Sequence, residues 1–120
     1  MNTVLLHSII EKHWLHLTLF LLAVISFLSL KPTGVAVPAV GFDKIYHCLA
    51  YTALVMPIAL KKPANWKFMV AVLMLYSGAI ELVQPMIGRH GDWLDFIMNV
   101  SGLMIGVFVA NAMKKSQIGI

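Results

Sequence analysis

Long apolar runs separated by short polar stretches dominate the pattern of hydrophobic and polar positions along the chain. A helix needs about 20 mostly apolar residues to cross a bilayer. Four runs come close to that length, at about residues 14–30, 45–60, 66–84 and 93–113. Trp14, Trp66 and Trp93 lie at their boundaries, where indole rings favour the membrane interface. The pattern therefore predicts an all-α fold, an integral membrane bundle of four transmembrane helices.

The first run is predicted to be a membrane span and not a cleaved secretory signal. Its 17 residues exceed the roughly 7–15 apolar residues of a signal core. The small residues that resemble a cleavage site, at Val37–Ala39, lie well beyond the end of the run. The connections between runs are short and no internal repeat is visible, so we expect a single membrane domain over residues 1–120.

The composition supports a membrane protein. Hydrophobic residues make up 60% of the chain and charged residues only 12%, against about 25% charged residues in soluble proteins. These values exclude a disordered chain and most soluble enzymes, and the lone Cys48 excludes a disulfide-stapled module. The formal net charge is +4, but the basic residues are scattered at the ends of apolar runs. We therefore expect no nucleic-acid partner.

The unequal division of lysine and arginine between the two sides of the predicted bundle indicates its orientation. With four spans, both termini share a side with six basic residues, Lys12, Lys61, Lys62, Lys67, Lys114 and Lys115. The other side holds three, Lys31, Lys44 and Arg89. Positive residues favour the cytoplasmic side. We therefore expect a multi-pass protein of the cell inner (cytoplasmic) membrane, with both termini cytoplasmic.

Polar stripes lie in the outer halves of the last three predicted spans. At 100° per residue, the members that share a helix face are Asp43, His47 and Tyr51; Ser77, Glu81 and Gln84; and Asp92, Asp95, Asn99, Gly102 and Gly106. Because a charged side chain in lipid costs a few kcal/mol or more, we expect the stripes to face one another in a shared site. The two glycines are spaced to let a neighbouring helix approach closely. Glu81 needs a cation such as Arg89 or Lys44, or must keep its proton.

Several of these polar residues also have a local interpretation. Asp43 and Asp92 each stand where a helix is predicted to begin, and either can cap free amide groups there. His7, His13 and His16 lie near the amino end and are expected to be solvated.

Neither a metal nor a cofactor is predicted from the spacing of ligand types. His47, Glu81, Asp92 and Asp95 could supply metal ligands, but no His-x-x-x-His or Cys-x-x-Cys pattern supports a metal site. The same carboxylates and histidine suit general acid–base catalysis at a lipid–water boundary. No nucleophile motif accompanies them, so whether the protein is an enzyme stays open.

Three short motifs, in order and on suitable segments, resemble those of the VanZ-like family of membrane proteins. They are Asp43-Lys44-Ile45-Tyr46-His47 with Tyr51; Glu81-Leu82-Val83-Gln84; and Gly88-Arg89 with Asp92, Asp95, Asn99, Gly102 and Gly106. The match covers about residues 43–106. The name-giving member of the family is associated with low-level resistance to teicoplanin, a glycopeptide that binds cell-wall precursors. The resemblance implies no catalytic residue, because the biochemical activity of the family is not established.

Besides catalysis, the polar residues support two interpretations of the site. In the first, a membrane lipid or lipid-linked cell-envelope precursor is bound or processed, with Arg89 and Lys44 holding its phosphate. In the second, the protein is an accessory subunit and the stripes only hold the helices together. The predicted ligand-binding residues are Asp43, Lys44, His47, Tyr51, Glu81, Gln84, Arg89, Asp92, Asp95 and Asn99, with Gly102 and Gly106 for helix packing. The oligomeric state is left open.

Overall fold

The computed structural model describes residues 3–30, 42–88 and 93–118, and these ranges contain helices and no strand. In chain order the α-helices are α1 (Thr3–Lys12), α2 (Trp14–Leu30), α3 (Phe42–Lys61), α4 (Trp66–Val83) and α5 (Trp93–Ile118). A short 3-10 turn, Gln84–Ile87, follows α4. Helices α2 to α5 coincide with the four predicted apolar runs within a few residues, so the all-α prediction is confirmed.

Helix α1 is the element that the hydrophobic pattern did not predict. It meets α2 at an angle of 77° and packs against α3. Ile10 of α1 contacts the cluster formed by Ala59, Leu60 and Ala110. His7 is only 5% exposed, so its expected solvation is wrong, because this packing turns one face of α1 inward.

Two helices are long and apolar enough to cross a membrane, α4 with its 3-10 turn (Trp66–Ile87) and α5 over Trp93–Ser116. A third qualifies if the bent pair of α1 and α2 is counted as one span. Helix α3, whose first turns carry the Asp43–His47 motif, is not among them.

The outward surface of the bundle is apolar. Several large apolar residues are more than half exposed, including Phe20, Phe27, Leu75, Leu82 and Phe108. In water such a surface would be an aggregation liability, whereas lipid solvates it. Together with the helix lengths, this surface is that of a membrane protein.

Helices α3 and α5 run parallel and pack more extensively than any other described pair. Gly102 and Gly106 of α5 lie in the contact, where an added Cβ would come within 2.3 Å of Cys48 O and of Val55 Cγ1, respectively. The Thr52 hydroxyl shares its one proton between Cys48 O at 2.8 Å and Gly102 O at 3.0 Å. The absence of side chains at the two glycines therefore sets how closely the helices approach.

Hydrogen bonds join helices α2 and α4 near their C-terminal ends. The Ser26 and Tyr76 hydroxyls are hydrogen-bonded at 2.5 Å, and Gln84 Nε2 donates to Ser29 O at 3.1 Å. Helices α2 and α4 therefore run in the same direction. Ser77, Gly78 and Pro85 of α4 and its 3-10 turn lie beside Asn99, Phe96 and Trp93 of α5, so α4 runs antiparallel to α5. As a result, the N-terminal ends of α3 and α5 share one end of the bundle with the C-terminal end of α4.

Candidate functional site

A cluster of polar side chains lies at this shared end, where α3 and α5 begin and α4 ends. The described members, called the polar cluster below, are Lys44, His47, Tyr51, Ser77, Glu81, Asp95 and Asn99. Ser77 and Asn99 are fully buried, and Asp95 and Glu81 are 5% and 8% exposed. Buried polar groups are costly unless other polar groups or ligands satisfy them.

An ion pair joins the first turns of α3 and α5. Lys44 Nζ donates to Asp95 Oδ1 at 2.7 Å, and their side chains are 26% and 8% exposed. His47 Nε2 lies 3.8 Å from the other oxygen, Asp95 Oδ2. Lys44 and His47 are three residues apart on one face of α3, so the same carboxylate contacts both. The sequence suggests Lys44 as a partner for Glu81, whereas the contact of Lys44 with Asp95 is a finding of the structure.

A chain of hydrogen bonds runs across the three helices. His47 Nδ1 and Asn99 Oδ1 are 2.8 Å apart, and Asn99 Nδ2 donates to Ser77 Oγ at 2.8 Å. Because an amide oxygen only accepts, His47 Nδ1 carries the proton of this bond. In the neutral ring the lone pair is then on Nε2, the nitrogen that faces Asp95.

Three potential metal ligands come from three different helices. His47, Glu81 and Asp95 each offer one ligand atom, and these atoms all lie within 4.8 Å of one another. The hydroxyl of Tyr51 is buried beside Ser77 and Glu81, and no hydrogen bond of standard geometry satisfies it among the described residues. The cluster can therefore accept a cation among its ligand atoms and can donate a hydrogen bond to a bound group.

An apolar groove of about 680 Å³ adjoins the polar cluster, between α4 and α5. Its lining consists of Met74, Leu75, Gly78, Ala79, Glu81, Leu82, Pro85, Trp93 and Phe96. Leu75, Leu82 and Trp93 are at least 70% exposed, so the groove opens to the outside of the bundle. Glu81 lines the groove and also belongs to the polar cluster. An amphipathic molecule could thus place a polar group at Glu81 and an apolar chain along α4.

The structure brings six of the ten predicted ligand-binding residues together: Lys44, His47, Tyr51, Glu81, Asp95 and Asn99. Gln84 is buried, and its described hydrogen bond is directed to α2. Arg89, Asp92 and the side chain of Asp43 lie outside the described residues.

Ser77 is the member of the cluster that was not among the predicted binding residues. The signal for it was present, because Ser77 precedes Glu81 by one helical turn and shares its stripe. A hydroxyl is common in membrane helices for packing alone, so only its bond to Asn99 assigns it to the site.

The family of the chain follows from its similarity to known proteins. A family model described as VanZ/LLP1 matches residues 2–114, a range that includes nearly all of the described helices and every residue of the polar cluster. No curated protein and no solved structure matches the chain. The family that the three motifs predict is thus confirmed, and the chain belongs to the VanZ/LLP1 family.

Proposed function

We propose that the protein binds a lipid with an anionic, phosphate-containing headgroup at the outer face of the cell inner membrane. A membrane lipid and a lipid-linked cell-envelope precursor share this chemistry, and binding can serve its transport or modification. The observation that carries the proposal is the position of Glu81 at the junction of the buried polar cluster and the open apolar groove. Membership of the VanZ/LLP1 family is compatible with such a ligand.

The groove suits the apolar part of this ligand. Its volume of about 680 Å³ falls within the roughly 300–1,000 Å³ of ligand pockets in general. Its walls are aliphatic and aromatic apart from Glu81, and its mouth opens on the apolar outer surface of the bundle. A chain can therefore enter sideways from the bilayer without crossing polar surface.

The polar cluster suits the headgroup. Lys44 supplies a partly exposed ammonium that Asp95 holds in place at 2.7 Å. Arg89 is proposed from the sequence as a second, two-pronged phosphate ligand. The carboxylates, with Asp43 and Asp92 proposed beside them, orient these cations, accept hydrogen bonds from headgroup hydroxyls or hold a divalent ion.

A structural, accessory role is the alternative, and one observation favours it. Most described groups of the polar cluster satisfy one another, through the Lys44–Asp95 pair and the chain from His47 through Asn99 to Ser77. If that were their whole purpose, substitutions there would alter stability alone, and no specific lipid would be retained.

Native mass spectrometry of the full chain, purified in mild detergent, distinguishes the two functions. We expect a bound lipid whose mass identifies a phosphate headgroup, either a phospholipid or a polyprenyl phosphate. Lys44→Gln should lower its occupancy about tenfold, since one charge-assisted contact is lost. Arg89→Lys should also lower it, because lysine cannot form the two-pronged contact.

Lys115→Gln is the matched control, since it removes the same charge from an exposed lysine at the opposite end of α5. Its lipid occupancy should equal that of the wild-type protein. Equal retention in Lys44→Gln and Lys115→Gln, or a wild-type protein that retains no phosphate-containing lipid, would contradict lipid binding and favour the accessory role.

The topology proposed with this function is four spans, α2 to α5, with both termini cytoplasmic. Leu54, Val55, Ala59 and Leu60 of α3 are fully buried, so neighbouring helices shield α3 and it needs less lipid-facing apolar surface than the others. At the end opposite to the polar cluster, Lys114 Nζ donates to Leu60 O at 2.7 Å. The lysines of that end are the ones expected on the cytoplasmic side.

Reporter fusions test this topology. Fusions after Lys62 and after Lys115 should both report the cytoplasm, and a fusion after Gly88 should report the outside. The basis is the six-to-three division of basic residues between the two sides. An external signal after Lys62 or Lys115 would overturn the orientation, and a cytoplasmic signal after Gly88 would overturn the span count.

A further inference from the structure

We propose that the polar cluster is a binding site for one divalent transition-metal ion, with His47, Glu81 and Asp95 as its protein ligands. One ligand atom from each residue lies within 4.8 Å of the other two. Around a tetrahedral ion with bonds of about 2.0–2.2 Å, ligand atoms lie about 3.3–3.6 Å apart. Side-chain rotations that bring the three ligand atoms about 1 Å closer together therefore close the set around an ion.

The hydrogen bonds around His47 prepare the ring to be a ligand. Asn99 Oδ1 accepts a hydrogen bond from Nδ1–H at 2.8 Å, which leaves the lone pair of the neutral ring on Nε2. Nε2 lies 3.8 Å from Asp95 Oδ2, so in the neutral ring this lone pair is on the side of the Asp95 carboxylate. A hydrogen bond from the other ring nitrogen to a protein acceptor is the usual support of a metal-binding histidine.

The second carboxylate oxygen of Asp95 has its own support. Lys44 contacts Oδ1, which fixes the carboxylate and leaves Oδ2 directed toward His47. Asp95 Oδ2 and the buried carboxylate of Glu81 therefore offer oxygen ligands to an ion from two different helices.

Tyr51 provides an observation that is independent of the three ligands. It is 2% exposed, and its hydroxyl lies beside Ser77 and Glu81 but makes no hydrogen bond of standard geometry among the described residues. A buried hydroxyl in that position is suited to donate to a group held by the ion, such as a water molecule or a phosphate oxygen.

The ligand types select the class of metal. Mg²⁺ and Ca²⁺ prefer sites made of oxygen alone, whereas one imidazole with two carboxylates suits Zn²⁺ or Mn²⁺. Three protein ligands leave at least one coordination position open, as in zinc sites that bind a further molecule. Binding of the lipid phosphate at the open coordination position rests on the proposed function. The metal site itself does not depend on that function.

Metal titration of the purified full chain, stripped with EDTA and with any affinity tag removed, tests the site. We expect the electron paramagnetic resonance signal of free Mn²⁺ to be lost at one ion per chain, and Zn²⁺ to displace Mn²⁺. His47→Gln, Glu81→Gln and Asp95→Asn should each weaken binding at least tenfold, as expected for loss of one of three ligands. His16→Gln and Glu11→Gln remove the same groups from α1 and α2, and they should bind as the wild-type protein does.

Wild-type affinity in any of the three ligand variants would overturn the three-ligand site, and so would loss of binding in His16→Gln. Because a ligand variant can fail to fold, the wild-type protein supplies a second measurement: Mn²⁺ should raise its melting temperature in detergent. No bound ion and no rise in the wild-type protein would end the proposal. Neither measurement depends on which lipid is bound, so the lipid proposal can fail while the metal site stands, and the reverse.

Discussion

Gly102→Ala is expected to destabilise the helix bundle by about 2–4 kcal/mol, which is large for the addition of one methyl group. The new Cβ would lie 2.3 Å from Cys48 O and 3.2 Å from Cys48 Cα. Both are backbone atoms, so no side-chain rotation relieves the overlap and α3 must move away from α5. The same movement separates Thr52 Oγ1 from Gly102 O and leaves the hydroxyl to donate to Cys48 O alone.

Gly78→Ala is the control for this substitution. It adds the same methyl group within α4, where the nearest atom is Phe96 Cε1 at 3.4 Å, an ordinary contact with a side chain. Unfolding in mixed micelles with increasing denaturing detergent should therefore leave Gly78→Ala within about 0.5 kcal/mol of the wild-type protein. A Gly102→Ala protein as stable as Gly78→Ala would show that the two helices are not in close contact.

The fold was predictable where the signal is local. Apolar runs bounded by Trp14, Trp66 and Trp93 specify α2, α4 and α5, because the lipid solvates any sufficiently long apolar helix. Helix α1 lacks that signal, since its ten residues are too few to span. Its position depends on Ile10 reaching Ala59, Leu60 and Ala110, which lie far along the chain. No pattern within α1 encodes such a contact.

The candidate site was predictable to the level of the helix face. Helical spacing alone places His47 with Tyr51, Ser77 with Glu81 and Asp95 with Asn99. The heights at which the three stripes meet depend on how α3, α4 and α5 pack, and that is a property of the whole bundle.

The contacts of Lys44 and of the metal ligands show what helical spacing alone does not predict. Lys44 lies at the edge of its stripe, and its pairing with Asp95 rather than another carboxylate follows from the register of α3 against α5. The metal ligands His47, Glu81 and Asp95 come one from each helix. No two of these three ligands are close in the chain, so a pattern of closely spaced ligand pairs does not identify the set, although the three side chains meet in space.

Asn99→Leu is expected to lower stability by about 2 kcal/mol, because it leaves Ser77 and His47 without their partner at once. Hydrogen bonds between membrane helices average only about 0.6 kcal/mol each, but both Asn99 and Ser77 are fully buried. The His47 ring should also lose its fixed tautomer, which nitrogen NMR of labelled histidine reports directly. If the metal site exists, losing this support of His47 should weaken Mn²⁺ binding about 10–100-fold.

Asn111→Leu is the control, since it makes the same change on α5 at an exposed position. It should alter neither stability nor the spectrum of His47.

Because Ser77→Ala removes one of the two groups that Asn99→Leu leaves unsatisfied, the double variant should lose less stability than the two single losses added together. Additive losses would show that the Asn99–Ser77 bond contributes nothing. An unchanged histidine spectrum in Asn99→Leu would show that the tautomer of His47 is set elsewhere, and the account of Nε2 as a prepared metal ligand would then be wrong.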